Sequence, residues 1–531
     1  MKLLRCLLTA LCFCVAYCAC NKPDDGPTQP ETPVPSVISF TPASVSADAA
    51  GGSFSLAITA PARPKVEIPA AAQSWLSYKD GTFKDYQLTI SLTVAANPTY
   101  EAREAVVTLS AAGAASQTFT VSQAAKEAPD DPVVPVEPGA AEGLAAFFGL
   151  GWNMGNHFDA YYNGSWAGVL EGFPSEEAWG NVKATPTTFE GVKNAGFTSV
   201  RIPVSWLNMI GAAPEYKIDE TWMNRVYEVA QMAHAAGLKV IVNTHHDENH
   251  GVANTYQWLD IKNAVADSER NASIKAEIRA VWTQIALRFA DCGDEWLLLE
   301  GFNELNDGGW GWSADFRADP TRQCNILNEW NQVFVEAVRA TGGYNATRWL
   351  GVPTYAANPA FTNYLVLPED PAGKTAISVH FYDPSDYTIG KAQYSDWGHT
   401  GDPARKANGG DENHVLEVFG KLYSQHVAKG VPVYIGEFGC SMRSKSDARA
   451  WAFYKYYMEY IVKAARTYSL PCFLWDNGAS GAGQEQHGYI NHGTGGYVGN
   501  SKEIVDILKK AWFTTAEGYT LETVYNSAPK F

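Results

Sequence analysis

From about residue 140 onward, short apolar runs alternate with amphipathic stretches, and the alternation repeats eight times. The runs are AFFGLGWNMG, TSVRIPVSW, LKVIVNTHH, WLLLEGFNE, RWLGVPTYA, AISVHFYDP, PVYIGEFGC and CFLWDNG. Runs this uniformly apolar need cover on both faces, as the strands of a parallel sheet do. The stretches between them read as helices. Asp219, for example, can open a helix carrying Trp222, Val226, Val229 and His234, and Gly237 can end it. Eight such units in roughly 390 residues predict an α/β fold, a (β/α)8 TIM barrel with long loops. An open doubly wound sheet has less support, because no phosphate-cradling glycine loop follows the first strand.

In such a barrel the C-terminal strand tips ring one mouth, and reactive groups stand there. The tips here carry Asn156 (with Asp159), Arg201, His245-His246-Asp247, Asn303-Glu304, Tyr355, His380 with Tyr382, Glu437, and Trp475-Asp476-Asn477. Glu304 ends the fourth strand and Glu437 the seventh, which places two carboxyl groups across the mouth. Glycoside hydrolysis needs such a pair, one protonated to donate to the departing oxygen and one ionised to attack or to position water. Arg201 and Tyr382 are candidates to hold Glu437 ionised. Asn303 is placed to grip a sugar 2-hydroxyl. His245, His246, His380, Asn156 and Asn477 are candidate sugar contacts.

Trp475 offers a flat platform for a sugar ring, and Trp310 and Trp312, in the glycine-rich DGGWGW loop, are candidates for outer subsites. Trp166, Trp179, Trp258 and Trp397 also fall in loop-like stretches, where core burial is the stronger reading for each. His245-His246-Asp247 has metal-binding residue types. Hydrolysis by two carboxyls requires no metal, so neither a metal nor a cofactor is expected. Asp383 and Asp386 are loose metal candidates, and solvated loop charges explain them as well.

This constellation resembles glycoside hydrolase family 5 over about 145–515. NE on the fourth strand and GEFG on the seventh carry the likeness together. Arg201 in RIPVSW, His245 in NTHH, His380 and Tyr382 in HFYDP, and Trp475 in FLWDNG match the family's other site positions. GWNMGN, WGN at 179–181 and WDNG resemble the family's subgroup four, which acts on β-1,4-glucans such as xyloglucan, mixed-linkage glucan and cellulose derivatives. The resemblance implies that Glu304 is the general acid/base and Glu437 the nucleophile of a retaining enzyme. Leu305 stands where the family usually has Pro, and His157-Phe158 and HHDENHG also depart from its pattern. These changes bear on substrate choice rather than on the reaction. The same fold and mechanism acting on mannan or xylan is the alternative, and a non-catalytic glycan-binding lipoprotein is another. The loop tryptophans favour an open cleft and internal cutting.

The first 140 residues have a different grammar. MKLLRCLLTALCFCVAYCAC has a basic start and an apolar stretch too short to be a convincing membrane span. It resembles a bacterial lipoprotein signal with lipidation at Cys20, which would tether the protein to a membrane surface without spanning it. The expected location is the outer face of the outer membrane. Residues 1–20 are then signal and 21–35 a proline-rich linker. Residues 36–125 form a β-sandwich of immunoglobulin-like type with period-two alternation. Residues 126–139 form a second linker, and 140–531 the barrel. Proline at every third position of 126–139 suits a polyproline rod of up to roughly 40 Å. The GG opening, QSWLS, the Arg103 strand and the final VSQ resemble the BACON domain, for which Trp75 is the main aromatic that could meet a glycan. A net charge of −17 argues against a nucleic-acid partner. The expected partner is a β-glucan polysaccharide or oligosaccharide, and the expected state a monomer. Past the signal, Cys292, Cys324, Cys440 and Cys472 remain, too sparse for a disulfide framework.

Overall fold

The computed structural model describes residues 33–97, 102–125, 140–162, 172–249, 256–390 and 393–531. Cys20, Trp166 and the 126–139 spacer lie outside them. The chain divides into two compact units, 1–128 and 129–531.

Among the described residues the first unit contains eight strands: β1 (Ser39–Thr41), β2 (Ser44–Ala47), β3 (Gly52–Thr59), β4 (Lys65–Glu67), β5 (Leu76–Lys79), β6 (Gln87–Val94), β7 (Arg103–Ser110) and β8 (Gln117–Gln123). They form two four-stranded sheets, ordered β1-β3-β6-β5 and β2-β8-β7-β4. β6 buries every second residue, Leu88, Ile90, Leu92 and Val94, against Leu56, Ile58, Val107 and Val121. Burying each of these side chains is worth about 1.5–3 kcal/mol. Trp75 belongs to this core, with the Arg103 guanidinium 4.6 Å from its ring centroid. It is packed inside the sandwich and offers no platform to a glycan.

The second unit is a closed barrel of eight parallel strands in chain order: β9 (Leu150–Met154), β10 (Ser199–Ile202), β11 (Lys239–Asn243), β12 (Leu297–Glu300), β13 (Leu350–Pro353), β14 (Thr375–Phe381), β15 (Val433–Phe438) and β16 (Cys472–Asp476). All eight apolar runs supply a strand. The first run is split, because Ala140–Phe148 is a helix and the strand starts only at Leu150. Leu144 and Phe148 of that helix pack with Ile241, Leu298, Ala376, Tyr434 and Phe473. The helix at Glu220–Ala235 forms as its sequence dictates, with the Asp219 carboxylate accepting from the Trp222 N–H at 2.9 Å. The four cysteines are buried free thiols. No helix among the described residues is long and apolar enough to cross a membrane.

Strand alternation sets the function of the barrel interior. Ile241, Leu298, Tyr434 and Phe473 form an apolar layer. Two residues further along β11, β12 and β16 stand Asn243, Glu300 and Trp475, facing the same way. On β15 the spacing is three. A register shift against β14 pairs Val379 with Ile435 but His380 with Glu437, leaving Gly436 as the extra residue. The bulge turns Glu437 inward beside His380. A Cβ on Gly436 would lie 3.0 Å from His380 Nε2 and from Ser378 Oγ, so only glycine fits there without displacing a neighbour.

Candidate active site

The Glu437 carboxylate is buried and held at both oxygens. Arg201 Nη1 donates to Oε1 at 2.8 Å, and the Tyr382 hydroxyl donates to Oε2 at 3.0 Å. Burial and the nearby Glu304 raise the Glu437 carboxyl above its ordinary range, against the pull of Arg201 and the Tyr382 hydroxyl. The Arg201 guanidinium, bonded at 2.8 Å, favours its ionised form. Burial and the nearby Glu437 raise the Tyr382 phenol far above its ordinary range, so it stays a donor.

Glu304 lies beyond the end of β12, where the chain has left the strand, and is less buried. Its Oε1 is 2.7 Å from His380 Nδ1, and the same nitrogen is 3.7 Å from Glu437 Oε2. One oxygen of each carboxylate and one His380 nitrogen all lie within 4.8 Å of one another. Burial lowers the His380 imidazole to about 4, so it is a neutral spacer between the two acids. Arg201 pairs directly with Glu437, and His380 stands between that carboxylate and Glu304.

These groups open into a cavity of about 490 Å³, whose lining includes His245, His246, Trp310, Trp312 and Trp475. Trp475 lies parallel to His245, with ring centroids 6.0 Å apart and planes 7° apart. Gly155 makes room for the indole, since a Cβ there would be 2.7 Å from it. The DGGWGW loop is shaped by its own polar side chains. Asn306 Oδ1 accepts from the N–H groups of Gly308 and Trp310, and Asp307 accepts from Gly309 N, Ser313 and Gln323. That scaffold presents Trp310 and Trp312 with 46% and 76% of their surfaces exposed.

His246 is half-buried. Burial works against its charge, but Glu248, Asp159 and Glu304 raise it to about 9, so it is an imidazolium at neutral pH. His245 is its opposite, fully buried and held neutral by burial and by the charges of His246 and Arg201. Asp159, His245 and His246 also bring potential metal ligands within 4.8 Å of one another, yet both Asp159 oxygens already accept backbone N–H groups, from Asn156 and His157.

Other candidate residues sit below or beside the cleft. Arg201 is entirely buried below the cleft and touches Glu437, Glu300, Asn153 and Asn303. Asn477 is consumed by its own loop: Oδ1 accepts from Ala479 N, and Nδ2 donates to Glu485 O. Asn156 takes a left-handed backbone (φ 58°), bonds Asp159 through its N–H, and does not line the cavity. Trp258 and Trp397 are buried in the core. Asn303 lies next to Glu304, with Oδ1 accepting from Arg201 at 2.7 Å and a buried Nδ2 that has no partner.

The sequence comparisons agree with this geometry. The family model for cellulase (glycosyl hydrolase family 5) matches residues 159–481. The chain belongs to glycosyl hydrolase family 5. It is a glycoside hydrolase, and a BACON model also matches residues 65–124. Endoglucanase A of Paenibacillus barcinonensis is 35% identical over 360 residues, covering 65% of this chain and 84% of that protein. The xyloglucan-specific endo-beta-1,4-glucanase of Bacteroides ovatus is 34% identical over 453 residues, covering 81% of this chain and 84% of that one. The solved structure of a GH5-4 broad specificity endoglucanase from Bacteroides salanitronis has 46% identity and a TM-score of 0.66, covering 73% of this chain and 99% of its own.

The sequence reading of this family 5 hydrolase passed over Glu300. Its carboxylate accepts from Arg201 Nε and Nη2, Asn243 Nδ2, and the hydroxyls of Tyr434 and Ser378. Burial pushes this carboxyl up, but the Arg201 charge and the hydroxyls win and keep it ionised. A single acid inside LLLE was the available signal. Glu485 and His487, from the loop after β16, also line the cleft and were not anticipated.

Proposed function

We propose that this chain is a retaining, endo-acting hydrolase of β-1,4-linked plant glucans (xyloglucan, mixed-linkage glucan or cellulose derivatives), with Glu437 as nucleophile and Glu304 as acid/base. The observation that carries this reading is the placement of the two carboxyls about one neutral histidine, with oxygens within 4.8 Å. Retaining hydrolases hold their carboxyl groups about 5–5.5 Å apart, whereas inverting ones need roughly 6.5–9.5 Å to admit a water.

In the first step Glu304 gives its proton to the glycosidic oxygen while Glu437 attacks the anomeric carbon from the opposite face. The C–O bond breaks, the leaving chain departs as an alcohol, and a glycosyl ester forms on Glu437. In the second step Glu304, now a carboxylate, takes a proton from water, whose oxygen displaces the ester and restores both groups. Trp475 supports the sugar at the cleavage point, and the exposed Trp310 and Trp312 support a long chain, hence internal cutting.

The test is product analysis on a panel of xyloglucan, mixed-linkage glucan, carboxymethyl-cellulose, mannan and xylan, with the anomer followed by NMR in the first minutes. Retained configuration and mid-sized products from the glucans are expected. Inverted configuration sinks the assignment, and turnover confined to mannan or xylan sinks the substrate. Glu437→Ala should lower kcat by roughly 10⁴-fold or more while substrate binding persists.

The N-terminal motif further supports a lipid on Cys20 that holds the enzyme on the outer cell surface. Cys20→Ala should then release the protein into the medium. Equal membrane retention of the variant would count against the anchor.

A further inference from the structure

Every N–H group of Arg201 is used, and the sharing is uneven. Nη1 donates to Glu437 Oε1 at 2.8 Å and to Asn153 Oδ1 at 3.1 Å. Nη2 donates to Glu300 Oε1 at 2.6 Å and to Asn303 Oδ1 at 2.7 Å. Nε donates to Glu300 Oε1 and Oε2 at 3.1 and 3.2 Å. The Nε–Nη2 edge of the guanidinium, the side that grips a carboxylate with two N–H groups, therefore goes to Glu300, and Glu437 receives a single N–H. Yet Glu300 lies within β12 with no exposed surface, so it never meets substrate.

The surroundings of Glu300 fix it in place. Asn243 Nδ2 donates to Oε1 at 3.0 Å, and the hydroxyls of Tyr434 and Ser378 donate to Oε2 at 2.5 and 3.3 Å. These donors stand on β11, β15 and β14, and Arg201 on β10, so the barrel wall converges on this carboxylate. Arg201 cannot turn its two-donor edge toward Glu437 without stranding Glu300 in a dry interior. The same anchoring orients the Asn303 amide, whose oxygen faces Nη2.

The charges are as uneven as the bonds. One cation faces two buried carboxylates. Among the described residues, the other titratable groups facing Glu437 are Glu304, Tyr382, His380 at 3.7 Å and His245 at 3.9 Å. Burial holds both histidines neutral, and Tyr382 keeps its proton, so none of them adds a second cation. A carboxylate that shares its cation keeps more of its basicity than one that holds the cation alone.

We propose that Glu300 is a positioning residue for the nucleophile, a role that rests on Glu437 being that nucleophile. It takes the two-donor edge of Arg201, fixes the guanidinium beneath the cleft, and limits Glu437 to one charge-assisted bond. The Glu437 carboxylate is thereby held in place while its electrons stay available to attack an anomeric carbon.

The test records the pH dependence of kcat/KM on a soluble glucan for wild type, Glu300→Gln and Tyr434→Phe, with folding checked by near-ultraviolet circular dichroism. The acid limb of that profile reports the nucleophile in the free enzyme, and the two substitutions should move it in opposite directions. In Glu300→Gln the amide oxygen can still accept from Arg201 while the amide nitrogen donates to the Tyr434 and Ser378 hydroxyls. The second anion is gone, so Arg201 acts on Glu437 alone. The acid limb should move down by about half a pH unit or more, and kcat should fall, because the more stable carboxylate is the weaker nucleophile. Tyr434→Phe keeps the ring in the apolar layer but takes a donor from Glu300, which then draws harder on Arg201. Its acid limb should move up, by less. A merely structural role would leave both limbs in place or move them the same way, and either result overturns the proposal. Should Glu300→Gln not fold, Tyr434→Phe decides alone: a raised limb supports the role and an unmoved one overturns it. Glu437→Ala separates this role from the assignment beneath it. Turnover that survives in Glu437→Ala removes the nucleophile itself, whereas an inactive Glu437→Ala beside unmoved acid limbs removes only the role of Glu300.

Discussion

Along β12 the barrel changes character between Leu298 and Glu300. Leu298 belongs to a layer that Leu144 and Phe148 of the first helix close from below, held by burial and shape, with the Tyr434 hydroxyl its one polar tie to Glu300 above. Glu300, facing the same way one step nearer the mouth, belongs to a layer in which Arg201 is shared between Glu300 and Glu437 at 2.6 and 2.8 Å. The lower layer tolerates replacement in proportion to the volume lost. The upper layer has no such slack, because removing one charge strands the others in a dry interior. One strand thus carries stability in one position and chemistry two positions later.

The largest expected effect comes from breaking the upper layer. Arg201→Ala should cost about 3–5 kcal/mol of stability, by leaving Glu300 and Glu437 without their cation, and should lower kcat by roughly 10²–10³. It should also move the acid limb of the kcat/KM profile to higher pH, since the group that pulls the Glu437 carboxyl down is gone. Arg201→Lys should not rescue it, because one ammonium cannot present separate edges to two carboxylates. Chemical denaturation and a pH–rate profile read both effects. An acid limb that stays where it was would mean that Arg201 is structural only.

The lower layer sharpens the contrast. Leu298→Ala should cost about 2–5 kcal/mol of stability, yet the folded fraction should turn over at the wild-type rate. If kcat per folded molecule falls as far as in Arg201→Ala, the two layers are mechanically coupled and the division drawn above is wrong.

Which polar residues of the barrel the sequence exposed and which it concealed follows from the same alternation. Glu304 and Glu437 were legible because each ends an apolar run, and polar groups at strand tips are rare enough to be noticed. Glu300, Asn243 and Asn153 hide inside those runs, and nothing local tells a barrel-facing polar residue from a helix-facing one. The bulge at Gly436 is equally silent, since a glycine before a glutamate does not announce a register shift. Asn156 and Asn477 show a second duty of strand tips. Tips must also turn the chain, and short amides are good at that, so a polar tip is not always a ligand contact. The sandwich was legible through its period of two, but Trp75 could be placed in the core only once Arg103 was seen above its ring.

A smaller effect separates loop tryptophans from core tryptophans. Trp312→Ala should leave the melting temperature unchanged and raise KM on long glucans by roughly 2–10-fold, as the loss of about 0.5–1.5 kcal/mol of ring contact implies. Trp258→Ala should instead cost about 3–5 kcal/mol of stability, since that indole donates to Asp247 at 3.0 Å inside the core. A Trp312 variant that melts early, with KM unchanged, would return that residue to a packing role.

A pH-dependent effect compares two adjacent histidines with opposite charge states. His246, raised to about 9, binds its proton more tightly in the folded protein than in the unfolded chain, where an ordinary imidazole titrates near 6.5. Its stabilising contribution is therefore complete below about pH 6.5 and is lost as pH rises through about 9. Asp247 and Glu277, both pushed up to about 7 by burial, also lose stability as pH rises, but that loss is spent by about pH 7. His414, raised by its hydrogen bond to Asp383, adds a decline of its own and is present in every variant. Between pH 7 and 9 the difference between wild type and His246→Asn thus isolates one group. The wild-type melting temperature should fall more steeply than that of the variant across this window, and the two slopes should agree above about pH 9. Parallel curves throughout would mean that His246 is neutral in the folded enzyme, like His245, and that the Glu248 carboxylate, 3.7 Å away, does not hold a proton on it.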